Sequence, residues 1–321
     1  MVMKVSVVIP TYNQAQYITE SIQSALNQTF QDFELIVVDD GSKDNTREVV
    51  DSFKDPRIRY LYQENQGVSG ALNTGIMAST GEYFAGLASD DIWLPQNLEL
   101  KVKLLDSRPD IAFALSDMYV FDSDTGTTLD RLWKDVSERY IHELQDGTRK
   151  PLNEYLSRGV ALFAIPTVII RRKVFDEVGY FDESLSTEDY DMFIRVLQRF
   201  PIGIINEPLV RYRVHRASLS RSNIAYPGTL AAINKIINNY SLSREHIKLI
   251  RRNKLARTHF DYGCEKIIAG EIALGRRALL AAIRANPWWF RSYLYLVFSL
   301  LGRRLIWKIK SWKKGLGSGS L

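Results

Sequence analysis

Cysteine is almost absent from this chain. Cys264 is the only one in 321 residues, which excludes an intrachain disulfide framework and any cysteine-based zinc cluster. Cys264 itself reads as a small buried apolar residue. No uninterrupted apolar run reaches the ~18 to 20 residues of a membrane span. Met1-Val2-Met3-Lys4 leads straight into a strand-like run, so no signal peptide is expected. Acidic residues are scarce in one region only: residues 241–321 hold 17 Lys+Arg against 4 Asp+Glu, a balance of +13, whereas residues 1–240 hold 25 against 33, a balance of −8. The two parts have different electrostatic work to do. Apolar residues at 45% and charged residues at 25% are ordinary for a globular protein.

What is present first is an alternation of strands and helices. Val5 to Ile9 is a β-branched run, and Tyr17, Ile18, Ile22, Ala25 and Leu26 follow at helical spacing. Phe33 to Val38 is a second apolar strand, ending in Asp39-Asp40-Gly41-Ser42 before a helix with Val49, Val50 and Phe53. Ile58 to Tyr62 is a third strand, and a helix runs from Gly67 through Ala78. The strand Tyr83 to Leu87 delivers Asp90 and Asp91 to its carboxyl end, ahead of a helix from Pro95 to Ser107. This order predicts an α/β fold with a parallel, doubly wound sheet and ligand loops along one edge. Further on, 111–121 reads as strand, 122–150 has no clear pattern, 161–170 is β-branched but broken by Pro166, and 174–179 is a short helix. Glu188 and Asp189 stand at a helix N-terminus, and everything beyond Pro227 reads as helix.

Adjacent aspartates repel unless donors or a cation lie between them, and hard carboxylate oxygens suit Mg²⁺ or Mn²⁺. The plainer alternative is that Asp90 or Asp91 caps the next helix, and that Asp39 or Asp40 starts an Asx turn. Five segments in order carry a resemblance that decides between these. Val5-Ser6-Val7-Val8-Ile9-Pro10-Thr11-Tyr12-Asn13, Val38-Asp39-Asp40-Gly41-Ser42-x-Asp44, Ser89-Asp90-Asp91-x-x-x-Pro95, Glu188-Asp189-Tyr190-Asp191 and Tyr212-Arg213-x-His215 together resemble the inverting family 2 glycosyltransferases, over roughly residues 4–220.

The resemblance implies a GT-A (Rossmann-like) mostly parallel sheet flanked by helices, with an α-helical C-terminal extension. It implies that Pro10, Thr11, Tyr12, Asn13, Asp39 and Asp40 hold the nucleotide, with Asp40 on the base. Asp90 would contact the ribose or support the metal, and Arg213 would contact the diphosphate. Asp91 and His215 would hold a divalent cation, Mn²⁺ or Mg²⁺. Asp189 would be the base that takes the acceptor hydroxyl's proton, with Glu188 and Asp191 binding acceptor or orienting the loop. Ala88 and Ser89 depart from the family, which often has further acids there. The implied activity is metal-dependent transfer from a nucleotide-diphosphate donor, a UDP-sugar before a GDP- or dTDP-sugar. The acceptor would be a glycan or glycolipid hydroxyl in cell-surface polysaccharide synthesis.

Two other readings compete. A sugar-1-phosphate nucleotidyltransferase needs a glycine-rich loop and a basic residue after its first strand; here that place is Pro10-Thr11-Tyr12-Asn13-Gln14. A catalytically weak sugar-nucleotide-binding scaffold docked on a membrane would fit Ala88 and Ser89 but not Asp189 and His215. The expected division is a catalytic domain over 1–225, a helical region over 226–286, basic amphipathic helices over 287–314, and a flexible tail or cloning scar over 315–321. Residues 288–314 mix Trp and Tyr with Arg and Lys, the composition of helices that lie in an anionic membrane interface. The alternative is a helix packed on the protein with a solvated basic face. The expected location is cytoplasmic and peripheral at the inner membrane face, and no nucleic-acid partner is expected.

Overall fold

The computed structural model describes residues 3–133, 137–145, 151–158, 164–185, 188–215 and 225–300. The tail over 315–321, the basic run beyond Leu300 and the Glu188 side chain lie outside the described part. So do several stretches between 134 and 163. The chain divides into two compact units, one of residues 1–152 and 162–221, the other of residues 153–161 and 222–321.

The first unit is built on the alternation read from the sequence: β1 (Val5–Thr11), α1 (Ala15–Leu26), β2 (Phe33–Asp39), α2 (Thr46–Ser52), β3 (Ile58–Tyr62), α3 (Gly67–Ala78) and β4 (Tyr83–Gly86). Then come β5 (Ile92–Trp93), α4 (Asn97–Ser107), β6 (Phe113–Asp122), β7 (Thr127–Arg131) and α5 (Glu138–Gln145), while α6 (Pro151–Arg158) belongs to the second unit from Asn153 on. β8 (Val168–Arg171), α7 (Val174–Val178), α8 (Glu188–Leu197) and β9 (Ile202–Val214) close the series. One sheet runs β3-β2-β1-β4-β8-β6-β9-β5, with β7 added on β6. The segment β3-β2-β1-β4 is wholly parallel, so the carboxyl ends of these strands share one edge. β8 runs antiparallel between β4 and β6, and β9 is parallel to β6 and antiparallel to β5.

β1 and β2 are buried on both faces, as expected of parallel strands covered by helices. α1 seals one face through Ile18, Ile22 and Ala25, at helical spacing in the same core as Val5, Val7, Phe33 and Leu35. On α3, Gly75 lets the helix lie against β1, because a Cβ there would come within 2.3 Å of Val8 Cγ1.

The second unit is helical: α9 (Ala225–Asn239), α10 (Arg244–Ile250), one π-helical turn (Arg251–Leu255), α11 (Ala256–Ala269), α12 (Ile272–Ala285) and α13 (Phe290–Phe298). α11 and α12 cross closely at two glycines: a Cβ on Gly263 would meet Gly275 O at 2.9 Å. Around that crossing Phe260, Cys264, Ile267, Leu279, Ala282 and Tyr295 form a separate core.

Candidate active site

The strand-end edge is assembled by three loops. β1 ends in Thr11, buried beside Asp39 in register, and Thr11 O accepts from Asp40 N at 2.9 Å. Asn13 has φ +53, a left-handed conformation that asparagine tolerates better than most residues. In that posture its N–H donates to Ser42 Oγ at 2.8 Å and its Oδ1 accepts from Lys43 N at 2.7 Å. Asp44 finishes the join, its carboxylate accepting from Ala15 N and from the Thr46 amide and hydroxyl. Burial alone would raise the Asp44 pKa, but these donors lower it overall. Tyr12, next to Asn13, is an exposed ring, and Pro10 lies within β1 opposite Val38.

Asp39 and Asp40 are both buried at the end of β2, and their oxygens are used differently. Asp39 Oδ1 accepts from Ser42 N at 2.8 Å and Oδ2 from the Tyr60 hydroxyl at 2.6 Å. Both oxygens of Asp39 are thus committed to the fold. Asp40 takes Gln63 Nε2 and Gln66 N on the same oxygen, Oδ1, each at 2.8 Å. Its other oxygen stays available. Gly41 between this pair and Ser42 has φ +85, and a Cβ there would meet Asn65 N at 3.1 Å; only glycine makes this turn without strain.

The Asp90-Asp91 loop lies on the other side of β1, after β4. Its turn is closed by Asp91 N donating to Ala88 O, which also accepts from Ser21 Oγ of α1. β9 then clasps the loop: Arg213 N donates to Asp91 Oδ1 at 2.8 Å, and Arg213 Nε donates to Asp90 O at 2.7 Å. Asp91 is 1% exposed, and its Oδ2 has no hydrogen-bond partner among the described residues. Burial, and then the neighbouring Asp90 charge, push the Asp91 pKa well above the carboxylate range. Asp90 is more accessible, and its Oδ2 pairs with His215 Nε2 at 3.1 Å.

Two residues of α1, neither picked out by the sequence motifs, hold this corner. Tyr17 packs against the His215 ring, the two planes tilted by 36° with centroids 4.7 Å apart, and lies 4.9 Å from the Arg213 guanidinium. Glu20 accepts from Arg213 Nη2 at 2.8 Å. Phe121 covers Arg213 at 4.7 Å. Two nitrogens of the Arg213 guanidinium, Nε and Nη2, are thus engaged by Asp90 O and Glu20. The only signal in the sequence was a tyrosine on the amphipathic face of α1, which resembles any packing residue.

Asp189 is half-buried in the first turn of α8. Asp191, two residues further in, is buried and takes both Nε and Nη2 of Arg195 at 2.9 Å. Arg195 in turn donates to the carbonyls of Val178, Gly179 and Tyr180, so Asp191 orients the segment that approaches α8. A second fastening comes from α3, where Asn73 Nδ2 donates to Phe181 O and Glu183, Asn73 Oδ1 accepts from Phe181 N, and Ser69 Oγ donates to Leu185 O. Asn73 and Ser69 also went unrecognised in the sequence, since small polar residues within a helix carry no chemical signature.

A divalent cation can be tested against these side chains. Among the described residues no group of three or more His, Cys, Asp or Glu is arranged as a complete metal site. Asp91, Asp90 and His215 nevertheless offer one orphaned buried carboxylate oxygen and a second carboxylate beside it. That donor set fits a hard cation that draws its remaining ligands from a bound diphosphate, the usual habit of Mg²⁺ and Mn²⁺.

Comparison with known proteins agrees with this geometry. A family profile described as "Glycosyl transferase family 2" matches residues 6–179. An uncharacterized glycosyltransferase of Rickettsia typhi is 36% identical over 219 residues, 68% of this chain and 66% of the relative. Glycosyltransferase GlyG of Streptococcus pneumoniae is 32% identical over 228 residues, 68% of this chain and 73% of the relative. The chain spans only 34% of a Rickettsia felis relative that is 38% identical to it. Among solved structures, S. aureus TarS 1-349 in complex with UDP-GlcNAc superposes with a TM-score of 0.62 at 21% identity, covering 98% of this chain and 92% of that one. A mannosyltransferase of Pyrobaculum calidifontis in complex with GDP-Man and Mn²⁺ gives 0.59 at 17% identity, covering 94% and 80%. At these identities the structural likeness speaks for the fold.

Proposed function

The chain belongs to glycosyl transferase family 2, and from that premise we propose that it transfers a sugar, with inversion, from a UDP-sugar to an acceptor hydroxyl on a glycan or glycolipid. The observation that carries the reading is the paired strand-end carboxylates. Asp40 keeps one oxygen free at the end of β2, and Asp91 keeps one at the end of β4. β1 lies between the two strands, and two strand spacings come to about 10 Å, the order of the reach of a nucleoside diphosphate. Asp40 accepts a base N–H, while Thr11, Tyr12 and Asn13 line the floor between the pairs. The solved neighbours carry both kinds of base, UDP-GlcNAc in TarS and GDP-Man in the Pyrobaculum mannosyltransferase, and the nucleotide panel below separates them.

Asp91 and His215 would hold Mn²⁺ or Mg²⁺, with Asp90 supporting His215 and reaching the ribose. Such an ion supplies positive charge where the departing diphosphate becomes more negative. Asp189 takes the proton from the acceptor hydroxyl as that oxygen attacks the anomeric carbon. The bond to the diphosphate breaks on the opposite face, and the proton ends on Asp189. Arg213 and Tyr17 keep Asp90, Asp91 and His215 in register throughout, and Asp191 with Arg195 supports the approach to α8.

A thermal-shift panel of UDP, GDP, dTDP and CMP, each with and without Mn²⁺, tests the donor class. UDP with Mn²⁺ is expected to raise Tm most; an equal shift by every nucleotide would refute the base assignment. Asp189→Asn should lower transfer by about 10²- to 10⁴-fold while UDP affinity stays within about twofold. Wild-type turnover by that variant would remove Asp189 from the mechanism. The scaffold alternative, which draws only on Ala88 and Ser89, predicts no transfer by the wild-type chain with any donor.

A further inference from the structure

Helix α13 is apolar on two opposite faces. Its inner face packs on the small core of the helical unit, with the Tyr295 ring edge-on to Phe260 at 5.0 Å, and Ser299 just beyond it accepting from Arg276 Nε. Its outer face carries Phe290, Tyr293, Leu294 and Val297, spaced i, i+3, i+4 and i+7, all exposed. Phe290 is 70% and Val297 54% exposed, and Trp288 just before the helix is 84% exposed. A contiguous exposed apolar stripe marks a contact surface.

The chain itself indicates what covers it. Directly after α13 the sequence carries Arg303, Arg304, Lys308, Lys310, Lys313 and Lys314, with no acid and with Trp307 and Trp312 interleaved. An acidic protein partner would answer the cations but would leave the aromatic and aliphatic stripe without a reason. A bilayer answers both, because its headgroups take the charge and its acyl boundary takes the rings. No described helix is long and apolar enough to cross a membrane.

We propose that the outward stripe of α13 docks on the surface of an anionic lipid bilayer, with the basic run that follows adding electrostatic attraction. This surface does not depend on the transfer chemistry, and its test reads partition, not turnover. The full chain is sedimented with phosphatidylcholine vesicles, with and without phosphatidylglycerol. Wild-type protein should bind only the anionic vesicles, less so as salt rises. The variant Phe290→Ser/Leu294→Ser/Val297→Ser should lose about tenfold or more of that binding with its melting temperature unchanged. Leu280→Ser, which removes an exposed apolar side chain from α12, should bind as wild type. Val297→Ser alone, with a smaller loss, carries the test if the triple variant fails to fold. Undiminished binding by the stripe variants would overturn the proposal, as would absence of binding by wild type. So would light scattering that shows an oligomer dissolved by the stripe substitutions, which would assign the stripe to a second copy.

Discussion

The two aspartate pairs sit at the ends of strands flanking β1, yet they are finished to different degrees. Asp39 and Asp40 together receive four internal hydrogen bonds, from Ser42, Tyr60, Gln63 and Gln66. Asp90 pairs with His215 Nε2, and Asp91 receives one hydrogen bond at its carboxylate, from Arg213 N, while its other oxygen is buried without a partner among the described residues and crowded by Asp90. A pair surrounded by donors is ready for a neutral hydrogen-bonding group such as a base edge. A pair with a buried, unpartnered carboxylate oxygen is ready for a cation. In the proposed mechanism, similar residue patterns serve recognition at one strand end and charge neutralisation at the other.

The sharpest way to break this contrast is Asp91→Asn. It should lower transfer by about a hundredfold or more while Tm holds or rises, since an uncompensated buried charge disappears; loss of Tm with full activity would reverse the roles. Asp40→Asn should act on affinity instead, weakening UDP binding by about tenfold or more in a calorimetric titration, with a smaller change in kcat. Smaller still is Tyr17→Leu, which removes the ring between His215 and Arg213 and should cut kcat by about three- to tenfold. Tyr17→Phe should restore it, because the ring makes these contacts.

The smallest effect belongs to Glu34, at the opposite end of β2 from Asp39. Burial raises its pKa, but the Thr80 and Ser6 hydroxyls, the Thr80 amide and Arg59 together bring it below the ordinary value. Its contribution is therefore present above the unfolded pKa and lost as pH falls through the depressed folded value. Glu34→Gln should cost about 1 kcal/mol at neutral pH, and the two Tm curves should converge as the solution is acidified.

The parallel half of the sheet was legible because its strands are continuous apolar runs and its helices are amphipathic. β1, β2, β3 and β4 lie within a residue or two of the stretches that read as strands. β5 was not legible, since two residues, Ile92 and Trp93, carry no periodicity and become a strand only by pairing with Arg211 and Val210. β7 and α5 fell in the stretch without pattern, where exposed strands alternate polar residues freely. In the site, residue types with strong chemistry stood out in the sequence, whereas Tyr17, Glu20, Ser69 and Asn73 did not. Their roles come from neighbours 108 or more positions away, such as Phe181 for Asn73 and Arg213 for Glu20.

The clasp between Arg213 and Asp91 spans 122 positions, and that separation dictates an order of assembly. β1, β2 and β3 pair over short chain distances and can form while the remainder is still being synthesised. The Asp90-Asp91 corner must wait for β9 to slot between β6 and β5, which is slow because a long loop has to close. The Asp40 contacts close over 23 and 26 positions and the Asp91 clasp over 122, so the proposed base end of the site is assembled from nearer pieces of chain than the proposed diphosphate end.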